Sequence, residues 1–192
     1  MTQTNTAWSR KNGSTVRTVI FPDVDCTGEQ RQPDPVTIIG IVERMITDHG
    51  EPYLGIPVAH QHVQTYLADL RACLSASDYH RYTDNQKARD QETYHITFIN
   101  PREYVKIRPL ALESLVGEGG LIEMLGVGVA ESAGNRAYFV VCESPHLQRL
   151  REQVELGAGD LHVTLGFDAE DMHDVRKDRG TLIKKSVAPP KE

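Results

Sequence analysis

The sequence predicts an α+β fold built from two similar halves, on three observations. Strand-like segments outnumber helical ones, each half carries one amphipathic helix, and each half ends in a strand with the same alternating signature. A chain of 192 residues with 39% hydrophobic and 25% charged residues has enough apolar surface for one domain. We expect residues 18–183 to form it, between flexible tails at 1–17 and 184–192.

The elements follow in order. Thr18 to Phe21 is a short strand that runs into Pro22, and the proline-rich segment after it is a loop, because proline removes a ladder donor. Val36 to Ile46 is rich in β-branched residues and reads as one buried strand; Asp48, His49 and Gly50 make the turn into a second strand, Tyr53 to Val58. From Ala59 to Leu74 the residues Val63, Tyr66, Leu67, Leu70 and Leu74 recur at spacings of three and four, the stripe of a surface helix. Ser75 to Glu92 is polar and reads as a long loop over a site.

The second half repeats the scheme. After the strand Tyr94 to Ile99, Leu121 to Ala130 and Arg136 to Cys142 form a hairpin whose Gly134 and Asn135 tolerate positive φ. Gly117, Gly119 and Gly120 lack the Lys-Ser/Thr ending of a phosphate loop and read as a turn. Ser144 and Pro145 are an N-cap and first-turn pair that opens a helix ending at Gly157, and Leu161 to Phe167 is the last strand.

Composition excludes several function classes. A net charge of −6 offers no general attraction for long duplex DNA or long RNA, so any nucleic-acid substrate should be a small nucleotide or a short RNA end. The apolar stretches fall short of the roughly 20 residues a bilayer span needs, and the polar N-terminus lacks a secretory core, so the expected chain is a cytoplasmic monomer that starts as written. Three cysteines, odd in number and widely spaced, predict no disulfide framework and read as small buried hydrophobes.

Two of the eight histidines carry the chemistry. Tyr94-His95-Ile96-Thr97-Phe98 and Leu161-His162-Val163-Thr164-Leu165 share the pattern apolar-His-apolar-Thr-apolar. Fewer than about 0.1 such flanked motifs are expected by chance in a chain of this composition. Period-two geometry puts His95 with Thr97, and His162 with Thr164, on one face of each strand. Two imidazoles that titrate near neutrality can take a proton from a nucleophile and give one to a leaving oxygen, and two hydroxyls can donate to phosphate oxygens. That scheme requires no cofactor and no metal. His60 and His62 lack a third ligand at metal-site spacing and read as solvent-facing or capping residues.

On these residues the chain resembles the 2H phosphoesterase superfamily, whose mark is a pair of H-x-T/S motifs in two pseudo-symmetric lobes. The likeness is closest to the RNA-repair-associated, Swiss-army-knife cyclic phosphodiesterase branch, through YHITF, LHVTLGF and the following DMHDVRKD, over about residues 36–183. The resemblance implies a bilobal fold, two antiparallel β-sheets with outer helices around a central cleft. It also implies metal-independent hydrolysis of a 2',3'-cyclic phosphate on a nucleotide or RNA end. His95 and His162 would be the catalytic acid/base pair, in an order left open, and Thr97 and Thr164 the phosphate ligands. Degradation of cyclic or 2'-5'-linked oligonucleotide signals and non-catalytic binding of nucleotides or RNA ends are the alternatives. His173 and Lys177 stand close behind the second motif and are candidate substrate contacts. Of Tyr138 and Phe139, adjacent on one strand, only one can face the cleft and stack on a base.

Overall fold

The computed structural model describes residues 6–11, 14–19, 35–132 and 134–183. β1 (Thr6–Lys11) and β2 (Ser14–Val19) pair into an antiparallel hairpin where the sequence reading expects a tail. The expected tail at 184–192, Ile20 and Phe21 at the end of the expected first strand, and the expected proline-rich loop at 22–34 lie outside the described residues.

Seven further strands form one antiparallel sheet. They are β3 (Val36–Ile41), β4 (Glu43–Ile46), β5 (Pro52–Val58), β6 (Tyr94–Ile99), β7 (Gly119–Ser132), β8 (Asn135–Glu143) and β9 (His162–Phe167), in the order β3-β7-β8-β9-β6-β5-β4. This corrects the expectation of two sheets: the motif strands β6 and β9 pair directly, through Ile96 and Val163, and join the halves. The expected single strand Val36 to Ile46 is also divided. β3 pairs with β7 and β4 with β5, at opposite ends of the order, with Val42 alone between them. A chain that passes from one edge to the other across one residue requires the sheet to curl until its edges approach. Gly40 sits where they do: a Cβ there would lie 2.6 Å from side-chain atoms of both Ile122 on β7 and Ile56 on β5. As an edge strand, β3 leaves Ile39 and Ile41 exposed, so it is not the buried strand expected.

Helices cover one face of the sheet. α1 (His60–Cys73) buries Val63, Tyr66, Leu67 and Leu70, the stripe that its sequence predicts, and the Tyr66 hydroxyl donates to the Met124 carbonyl on β7 at 2.7 Å. α2 (Ala76–Asp90) replaces the expected loop. Its N-cap is Ser75, whose hydroxyl accepts from Asp78 N at 3.1 Å. Beside the buried Tyr82, its docking is polar: Asn85 Nδ2 donates to the Phe167 carbonyl on β9 at 3.0 Å and Gln86 Nε2 to the Thr93 carbonyl just before β6 at 2.8 Å. The backbone comes this close because Gly166 has no side chain; a Cβ there would meet the Tyr82 carbonyl carbon at 2.8 Å.

Two short helices, α3 (Pro101–Tyr104) and α4 (Pro109–Leu115), link β6 to β7, and α5 (Pro145–Gln153) links β8 to β9. Ser144 caps α5 by accepting from Leu147 N at 3.3 Å, as its sequence predicts. The buried Arg151 ties α5 to the end of β6, donating to the Phe98 carbonyl at 2.5 Å and to Glu103 Oε1 at 2.6 Å.

The chain after β9 crosses the opposite face. It is anchored by Asp168 N donating to the Arg136 carbonyl at 2.8 Å and by Ile183 N donating to the Val127 carbonyl at 2.9 Å. Met172, Val175 and Leu182 from this segment pack on Leu125, Phe139, Val141 and Phe167 in a second, smaller apolar cluster. Cys142 is a buried free thiol, whereas Cys73 is disulfide-bonded, a pairing that spacing along the chain does not reveal. Among the described residues no helix is long and apolar enough to cross a membrane.

Candidate active site

The pairing of Ile96 with Val163 sets the geometry of the site. Both side chains point into the helix-covered core and are fully buried, so alternation sends His95, Thr97, His162 and Thr164 to the other face. Antiparallel register then sets His95 opposite Thr164 and Thr97 opposite His162. The four residues are related by a local two-fold through the Ile96–Val163 pair, with the histidines on a diagonal. Diagonal neighbours across an antiparallel pair are roughly 7–8 Å apart, an interval one tetrahedral phosphate can span. The structure therefore brings together all four residues that the motifs single out.

A β-bulge sharpens this arrangement. The register of β8 with β9 shifts between Tyr138 and Phe139, which pair with Gly166 and Thr164, leaving Leu165 unmatched. Leu165 and Gly166 thus both serve the helix side, while Thr164 and Phe167 serve the site side. Alternation along β8 decides between the two aromatic candidates, because Phe139 pairs with the site-side Thr164 and Val140 with the core-facing Val163. Tyr138 is fully buried on the helix side and stacks on Tyr82 with ring centroids 5.6 Å apart, so it is not placed to meet a substrate. Phe139 lies on the site side but is also fully buried, 5.7 Å edge-on to the His162 ring, where it supports the imidazole and offers no free face to a base.

The two histidines have different surroundings. His95 is half-buried, its ring 5.7 Å from that of Tyr53, and burial pushes its pKa below the usual value, with Asp90 opposing and Arg89 adding to the shift. Burial likewise pushes the Tyr53 hydroxyl up to about 12. His162 is held at both nitrogens: Nδ1 lies 2.8 Å from the Asp160 carbonyl and Nε2 lies 3.1 Å from Lys177 Nζ.

Behind them runs a buried charge network that the sequence reading largely misses. Asp171 takes Lys177 Nζ on Oδ1 at 3.0 Å, Arg89 Nη1 on Oδ2, and the Thr164 hydroxyl on Oδ2 at 3.3 Å. Burial opposes ionisation of Asp171, but Lys177 and Arg89 outweigh it and hold the carboxyl well below the usual carboxylate range. Arg89 in turn grips Asp90 at 2.7 Å through both Nε and Nη2. Lys177 was legible as a cation close behind the motif; Arg89 was not, because it sits on the helix read as a loop. His173 is exposed and lines a shallow depression with Asn85, Arg89, Glu170 and Asp171, beside the network; neither motif histidine is among the lining residues.

His60 is exposed, its Nδ1 3.3 Å from Gln64 Nε2, and forms no helix cap. Among the described residues no cluster of three His, Cys, Asp or Glu could hold a metal ion.

A family model described as "Swiss Army Knife, 2H phosphoesterase domain" matches residues 61–173, more than half the chain and a segment that contains both motifs. No curated protein and no solved structure matches the chain. With its paired H-x-T strands side by side and this match spanning both, the chain belongs to the 2H phosphoesterases, in their Swiss Army Knife branch.

Proposed function

We propose that this phosphoesterase hydrolyses 2',3'-cyclic phosphates of nucleotides or short RNA ends by two-histidine acid/base catalysis. The observation that carries the reading is the diagonal of two imidazoles flanked by two threonines on one sheet face. A cyclic phosphate seated there would accept hydrogen bonds from Thr97 and Thr164 at its non-bridging oxygens, where negative charge grows as phosphorus becomes five-coordinate. One histidine would take a proton from the attacking water and the other would give one to the departing ribose oxygen, so the P–O bond to water forms as the P–O bond to ribose breaks. An entering phosphate anion would also raise the lowered pKa of His95 toward the range in which it can donate a proton.

A strained five-membered cyclic ester suits a site with few charged donors, because ring opening needs less stabilisation of the leaving oxygen than cleavage of an unstrained linear diester. The protons can all be handled by the two imidazoles, so the scheme routes no step through a metal. The test is incubation with 2',3'-cyclic mononucleotides and a panel of cyclic and 2'-5'-linked oligonucleotides, with and without chelator, followed by phosphorus NMR. A monophosphate product from the cyclic mononucleotides, undiminished by chelator, is the expected result. Turnover confined to the oligonucleotides would replace the substrate class, and binding of nucleotides without any product would replace the enzyme reading.

A further inference from the structure

We infer that Lys177 is a positioning residue which holds His162 as a neutral ring with its proton on Nδ1, and so makes His162 the base of the pair. Two independent contacts demand the same tautomer. The Asp160 carbonyl, 2.8 Å from Nδ1, can only accept, so Nδ1 carries the hydrogen. The Lys177 ammonium, 3.1 Å from Nε2, can only donate, so Nε2 keeps its lone pair. A protonated ring would turn a second N–H and a second positive charge on the ammonium, so the free site resists forming an imidazolium at His162.

The lysine is built in. Its side chain is 2% exposed, Nζ donates to Asp171 at 3.0 Å, and Nζ lies 5.4 Å from the centroid of the Phe139 ring. One residue aligns both partners: Asp160 receives His162 Nδ1 on its carbonyl and the Lys177 backbone N–H on its carboxylate at 3.1 Å. The other groups around His162 do not reverse the argument. β6 presents His95 and Thr97, β8 presents the apolar Phe139 and Val141, and β9 itself adds Thr164. From α2, Arg89 and Asp90 are bound to each other; the buried Asp171 carboxylate also acts on His162 and by itself favours a charged ring, but its one negative charge is shared by the two cations Arg89 and Lys177.

Together with the proposed hydrolysis, on which this part rests, the inference orders the proton transfers. Water loses its proton to His162 Nε2 and His95 protonates the ribose oxygen. An arriving phosphate oxygen competes for the ammonium hydrogen and frees Nε2 for the water. Lys177 also lies beyond the matched segment 61–173, so the inference comes from the geometry of this chain.

The experiment uses the full chain with labelled histidine and reads the ring nitrogens by NMR across pH, with His162 signals identified by their loss in His162→Gln. Wild type should show the neutral Nδ1–H form at pH 7. In Lys177→Met the His162 titration midpoint should rise by at least about one pH unit, the scale of a lost neighbouring charge, and the acidic limb of the kcat/KM profile should rise with it. Lys177→Arg, which keeps the charge, should stay close to wild type. An Nε2–H tautomer or a charged ring at pH 7 in wild type would overturn the inference, as would an unmoved midpoint in folded Lys177→Met. If Lys177→Met does not fold, the wild-type tautomer and Lys177→Arg decide. The ring spectrum needs no substrate, so an Nδ1–H tautomer in a protein that turns over no cyclic phosphate would sink the hydrolysis reading and leave this one standing.

Discussion

Replacing Asp171 by Asn probes the buried network that supports the site. The carboxylate is 5% exposed and faces Lys177 at 2% and Arg89 at 25%. Exposed ion pairs such as Arg44 with Glu113, at 49% and 58%, contribute about 0–1 kcal/mol because water solvates both partners. Here water is excluded, and removing one partner leaves the Lys177 ammonium buried without its counter-charge. Breaking such a pair costs roughly 3–5 kcal/mol. Arg89 keeps Asp90 and is 25% exposed, which places the expected loss toward the lower end, at about 3 kcal/mol. Urea unfolding at pH 7 should show that loss for Asp171→Asn. The double variant Asp171→Asn with Lys177→Met should recover part of it, because no unpaired charge is left behind. The sign with pH follows from the depressed carboxyl of Asp171. Its stabilisation is present above the unfolded-state value, about 3.9, and is lost as pH falls from there toward the folded-state value. The variant should therefore lack part of the wild type's acid sensitivity below pH 4. A variant as stable as wild type, with the same acid sensitivity, would refute the reasoning.

Two further predictions follow from packing and burial. Gly166→Ala should lower stability by about 1–3 kcal/mol, the usual scale of overpacking, since its Cβ would press on the Tyr82 backbone of α2; an unchanged melting temperature would mean that α2 does not lie on β9. His95 should titrate below its ordinary midpoint of about 6.5 in the free protein, because burial disfavours its charged form, and added inorganic phosphate should move that midpoint up. The contribution of His95 to stability is accordingly full above about pH 6.5 and declines as pH falls through the lowered folded-state value.

The site was legible in the sequence where chemistry and periodicity coincide. His95, Thr97, His162 and Thr164 stand two residues apart inside strong strand patterns, so their shared orientation follows from alternation alone. That the two strands pair is a long-range contact through Ile96 and Val163, which no local pattern reports, and an expectation of two sheets filled that gap. α2 escaped for a different reason. It docks through Asn85, Gln86, Tyr82 and the bare backbone at Gly166 in place of an apolar stripe, so a reading based on hydrophobic periodicity sees only a polar loop. Arg89 was lost with the helix that carries it. The register of β8 with β9 was equally invisible, and the pairing of Phe139 with Thr164 puts Phe139 and not Tyr138 on the site side.

The central claim is that His95 and His162 act together on one phosphate. It is tested most directly by the turnover of a 2',3'-cyclic nucleotide by His95→Ala and His162→Ala, each checked for an unchanged fold by circular dichroism. The account predicts a loss of at least about a hundredfold in kcat for each variant, the usual scale for a general acid or base. Wild-type turnover in both folded variants would contradict it.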